Sequence, residues 1–99
     1  MAGPVYHFEA GSASKRKFPQ AFDGAVFLHD WERKWILAAD LDVRTHAVKR
    51  LRRILPHESF KRPISLKFGP DGALYVLEWG SNWSDNADAA LVRIETALE

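Results

Sequence analysis

Aromatic rings stand beside charged side chains at three places in this sequence: Trp31-Glu32-Arg33-Lys34, His57 followed by Lys61-Arg62, and Trp79 followed by Trp83 and Asp85. Indole rings stack on the apolar face of a sugar or on a planar cofactor, and guanidinium groups pair with carboxylates. A fold that gathers these stretches could recognise a carbohydrate or a small flat anion. Arg62, Arg33, Lys61, Trp31, Trp79 and Trp83 are its candidate binding residues, and no residue is assigned a catalytic role. The simpler reading of Arg33 and Arg62 is that of a solvated loop cation, as for most charged loop residues.

Other chemistries find less support. His7, His29, His46 and His57 lack the i, i+4 spacing of a helical zinc pair, so each is expected to be a surface or hydrogen-bonded core histidine. Asn82, Asp85, Asn86 and Asp88 offer oxygen ligands, but their spacing does not match an EF-hand loop. They read as an ordinary polar loop, and no metal site is assigned. There is no cysteine, which excludes disulfides, thiolate catalysis and cysteine-bound metals. No Ser-centred nucleophile elbow is present. Lys49-Arg50 and Arg52-Arg53 suggest nucleic acid, but 14 basic residues against 13 acidic ones leave a net charge of only +1. Cations on an edge strand, where they discourage pairing with other chains, explain these four better.

The elements that position these residues follow from an internal repeat. Asp23-Gly24-Ala25-Val26-Phe27-Leu28-His29-Asp30-Trp31 matches Asp71-Gly72-Ala73-Leu74-Tyr75-Val76-Leu77-Glu78-Trp79 at an offset of 48 residues. Each copy opens on Asp-Gly, a turn signal, and continues into an apolar, aromatic run that reads as a buried strand. Pro63 to Phe68 alternates, with Ile64, Leu66 and Phe68 on one face. Trp35 to Ala39 and Ala90 to Ile94 are strand-like again. The expected strands lie near 3–8, 24–31, 34–42 and 47–55, then 63–69, 73–79 and 90–96. Within 46–55, Val48, Leu51, Ile54 and Leu55 also fit a helix capped by Thr45. The repeat's strand order favours a strand, with Leu51 and Leu55 facing inward. Residues 9–17 and 80–88 read as irregular loops.

Four-stranded units of about 40–50 residues are the mark of a β-propeller, each unit being one blade. The expected fold is therefore all-β: two antiparallel propeller blades, blade one over about 1–56 and blade two over about 57–99, the second incomplete. Strand direction alternates within a blade. The loops at 30–34, 56–62 and 80–88 thus emerge on one rim, which brings the aromatic and cationic residues together.

The residues Met1-Ala2-Gly3-Pro4-Val5-Tyr6, Phe22-Asp23-Gly24, His29-Asp30-Trp31 and Arg62 through Gly80 (RPISLKFGPDGALYVLEWG) resemble the glucose/sorbosone dehydrogenase propeller family. That family includes pyrroloquinoline-quinone-dependent sugar dehydrogenases. The resemblance covers nearly the whole chain and corresponds to the last third of a six-bladed member. It implies a quinone and calcium as cofactors, with basic residues of the last two blades on the quinone's carboxylates. Arg62 falls at such a position, and Arg33 lies near another. Glu32 stands where those relatives carry a basic residue, and the family's catalytic histidine, from an earlier blade, matches no position here.

Two functions follow. One is a non-catalytic propeller fragment or binding module that self-assembles and holds a carbohydrate or small anion on one rim, without a cofactor. The other is a quinone-dependent sugar dehydrogenase rebuilt by oligomerisation. In both, the chain is expected to be a homo-oligomer. Two blades leave apolar faces uncovered, with Val26, Leu28, Val76 and Leu77 on them, and a second copy can cover these. A six-bladed trimer is expected first and a four-bladed dimer second. Neither nucleic acid nor a membrane is an expected partner. No basic region followed by an apolar stretch opens the chain, so the cytoplasm is the default expectation. The resemblance leaves export of full-length relatives open.

Overall fold

Both Asp-Gly steps reverse the chain with glycine in the left-handed region, at φ 79° for Gly24 and φ 78° for Gly72. The strand that follows each step is the centre of one sheet. The computed structural model describes residues 2–58, 60–81 and 87–95. Its strands are β1 (Ala2–Val5), β2 (Val26–Asp30), β3 (Trp35–Leu41), β4 (Val48–Ile54), β5 (Pro63–Phe68), β6 (Leu74–Glu78) and β7 (Ala90–Ile94). They form two antiparallel meanders, β1-β2-β3-β4 and β5-β6-β7. Among the described residues there is no α-helix, only a 3₁₀ turn at Gln20–Phe22, and hence no helix long and apolar enough to cross a membrane.

The ambiguous segment is a strand, β4, paired with β3 from Ile36↔Ile54 to Leu41↔Val48. Its facing differs from expectation. Ile54 is buried at 7% exposure, whereas Leu51 and Leu55 are 55% and 46% exposed. Pairing explains this: Ile54 lies beside buried Ile36, while Leu51 lies beside Ala39 on the other face. Leu55, past the strand's end, takes φ 48° and turns the chain away. The first strand is also shorter than expected. Past Val5, Tyr6 still bonds through its backbone to Ala25 and Gly24, while its buried side chain donates its hydroxyl to the Phe18 carbonyl at 2.5 Å.

Alternation decides which faces bury. In β2 and β3, Phe27, His29, Ile36 and Ala38 point at the second sheet; in β6 it is Leu74, Val76 and Glu78 that point at the first. Val76 is thus fully buried, and its placement on an uncovered face is corrected: only its neighbour Leu77, 44% exposed, lies there. The sheets approach most closely through β2 and β5 and through β1 and β5. Aromatic rings fill the seam. Phe27 meets Phe68 edge-on at 5.0 Å, and Phe18, from the loop between β1 and β2, meets Phe22, Phe27 and Phe68. Each buried phenylalanine contributes about 1.5–3 kcal/mol by removal from water. Edge-to-face geometry adds about 0.5–1.5 kcal/mol per pair.

Candidate functional site

Trp31 and Trp79 close the two copies of the repeat, each one residue past the end of a central strand. Because the two sheets pack at a common seam, the rings meet, their centroids 5.4 Å apart and their planes at 52°. The Arg62 guanidinium stands 5.8 Å from the Trp31 ring centroid. The structure therefore brings together three of the six candidate residues.

Backbone pairing sets this corner. The Trp79 and Gly80 N–H groups donate to the carbonyls of Arg62 and Lys61. The Lys61 N–H donates to Glu78 Oε2 at 2.7 Å, which gives that buried carboxylate a partner. Arg62 sits at φ 56° and its Nη1 donates to the carbonyls of Gly80, at 3.1 Å, and Ser81. Its Nε is buried and makes no hydrogen bond among the described residues. The guanidinium therefore works as a staple across the segment after β6. A bidentate clamp on a quinone carboxylate needs a free edge of the fork, and here one nitrogen is engaged and another enclosed. Arg62 does not fit that role.

Lys61 is exposed, and its Nζ lies 3.7 Å from Asp88 Oδ2. Asp88 accepts the Ser81 hydroxyl at 2.5 Å and the Ser81 N–H at 2.9 Å, and these bonds hold its carboxyl below the usual carboxylate range. Arg33 is exposed on the β2–β3 turn, where its N–H donates to Asp30 Oδ1. Trp83 lies outside the described residues, as do Asn82, Asp85 and Asn86 of the polar loop. Among the described residues no group of three His, Asp or Glu is placed to hold a metal ion.

One cleft, of about 500 Å³, borders this corner through Lys61 and Glu78; others lie elsewhere. One of about 850 Å³ opens at the opposite end of the first sheet, lined by Val5, Asp23, Gly24, Val26, Asp40, Leu41, Asp42, His46, Lys49 and Arg50 among others. Burial pushes the Asp40 carboxyl up, but Arg50 at 3.0 Å and Arg52 at 2.7 Å outweigh it and hold the group low. Another, of about 270 Å³, lies between the outer strands and shares Leu55, Ile94 and Glu95 with the 500 Å³ cleft.

Sequence reasoning left one polar feature open between two alternatives and missed two others. His29 is 3% exposed and its Nδ1–H donates to the Pro63 carbonyl at 2.9 Å, tying β2 to β5. It is a hydrogen-bonded core histidine, one of the two alternatives expected. Arg52 is more than an edge cation: it lies 4.0 Å over the Phe22 ring and donates to Asp40 and to the Ala21 carbonyl. Glu78 is buried at 7%. The signal for Glu78 was its place in the alternation of β6, in phase with Leu74 and Val76. Comparison with protein-family models, curated proteins and solved structures returns no match.

Proposed function

We propose that this chain is a pair of β-propeller blades that self-assembles into a closed ring. The rim around Trp31 and Trp79 offers a carbohydrate or small anion a surface, and the chain has no redox chemistry of its own. The observation that carries the reading is the seam. The two sheets meet through β1, β2 and β5 and leave apolar residues exposed on the far face of each, Val5 at 42% and Leu51 at 55% on the first and Leu77 at 44% and Leu91 at 68% on the second. Blades radiating from an axis have this relation, and a blade buries its faces only against neighbours. A cyclic trimer of six blades, the number in the family it resembles, is the assembly favoured here.

Size-exclusion chromatography with light scattering tests this directly. A particle of three times the 11.3 kDa chain mass is expected; a folded monomer at every concentration would sink the reading. The rim is tested by quenching of tryptophan fluorescence with mono- and oligosaccharides, which Trp31→Ala should abolish. The dehydrogenase alternative calls for pyrroloquinoline quinone with calcium, then dye reduction with glucose. No turnover is expected, because Arg62 is engaged by backbone carbonyls, and measurable turnover would overturn the non-catalytic reading.

A further inference from the structure

We infer that the far face of β5-β6-β7 in one copy packs head to tail on the far face of β1-β2-β3-β4 in the next. The contact would rebuild between chains the sheet pairing already present within one chain. This inference rests on the self-assembly reading above and adds the surfaces and their polarity.

The repeat supplies the argument. At the 48-residue offset, Phe27 and His29 correspond to Tyr75 and Leu77, while Val26 and Leu28 correspond to Leu74 and Val76. Within the chain, the first sheet uses its Phe27–His29 face and the second its Leu74–Val76 face. The two copies of the repeat thus meet through opposite faces. The faces left over are the counterparts of the faces used: Tyr75 and Leu77 match Phe27 and His29, and Val26 and Leu28 match Leu74 and Val76. Only a head-to-tail contact joins that pair. A contact of like face on like face, isologous about a two-fold axis, is an arrangement that the chain shows nowhere.

The chemistry of the faces agrees. One offers Leu77 and Leu91, paired across β6 and β7, with the half-buried Tyr75 beside them. The other offers Val5, Val26, Leu28 and Leu37, neighbours across β1, β2 and β3. His29 ties the internal seam to the Pro63 carbonyl, whereas its counterpart Leu77 has no polar group and needs no partner. Even the seat of the β1–β2 loop has a counterpart. Phe18 N–H and Ser14 Oγ–H donate to the carbonyls of Gly72 and Asp71, and the matching Asp23–Gly24 step borders the 850 Å³ cleft. The second sheet's turn between Phe68 and Ala73 is too short to fill that cleft, so the ring keeps an opening there.

The test uses one variant of each face in the full chain, Leu77→Asp and Leu28→Asp, with circular dichroism as the check on folding and Val5→Asp replacing Leu28→Asp should that variant unfold. Each folded variant alone should run at one chain mass. A 1:1 mixture should give a heterodimer of two chain masses, because each partner keeps the face that the other has lost. A wild-type chain that is monomeric overturns both this inference and the self-assembly reading. A wild-type oligomer whose variants stay assembled alone, or stay monomeric when mixed, overturns the face pairing and leaves self-assembly standing.

Discussion

Gly24 and Gly72 hold corresponding positions and nearly the same φ, yet they answer to different constraints. A Cβ on Gly24 meets nothing within 4 Å, whereas one on Gly72 would lie 2.4 Å from Lys17 Cβ and 2.8 Å from its Cα. Gly24→Ala is expected to cost about 1–2 kcal/mol, the penalty of a left-handed backbone. Gly72→Ala should cost clearly more, because the β1–β2 loop must also move, and urea denaturation of both variants checks the order. His29 supplies a pH dependence. Burial pushes its imidazole below the ordinary value of 6.5, and the hydrogen bond to Pro63 only partly offsets this. The unfolded chain then takes up the proton first, so stability is complete above that value and declines as pH falls below it. Denaturation midpoints between pH 7.5 and 5 should fall for the wild type and flatten in His29→Asn, whose amide can still reach the Pro63 carbonyl. Parallel curves would show that His29 does not control the decline.

At the scale of elements, β4 decides between two readings of one segment. A helix would set Val48, Leu51, Ile54 and Leu55 on one buried stripe, whereas pairing with β3 buries Ile54 alone among the apolar residues of β4. Ile54→Ala should therefore cost about 2–4 kcal/mol. Leu55→Gly, one residue on, should fall within about 1 kcal/mol of the wild type, since glycine relieves the positive φ that leucine resists. Thermal denaturation of the two variants reads the difference, and equal losses would contradict the strand's facing. The strand order was legible from the Asp-Gly steps and from the alternation of β5. The facing of β4 was not, because Arg50, Arg52 and Ile54 share its inner side and only contacts across the sheet make that side tolerable for arginine. Arg52 is accommodated by Asp40, the Ala21 carbonyl and the face of Phe22.

For the molecule as a whole, the seam between the sheets makes them one unit. Phe18 is 5% exposed, packs on rings from both sheets and donates its N–H to Gly72. Phe18→Ala should cost about 3–5 kcal/mol although the residue lies in no strand. In the wild type, tryptophan fluorescence and far-ultraviolet circular dichroism should report a single coincident transition. Two separate transitions would mean that the sheets fold independently.

The sequence by itself determined the all-β class and the order of seven strands. Turn residues and apolar alternation are local properties, and a 48-residue repeat reports them twice. It also placed Trp31 and Trp79 at equivalent strand ends, and so in reach of each other once the sheets pack. Only the tertiary structure decided what Arg62 does, that Val76 rather than Leu77 is buried, and that His29 and Phe18 close the seam. Those outcomes depend on which face of each sheet meets the other. Alternation shows that a strand has two faces, but the choice between them is made by packing across the seam.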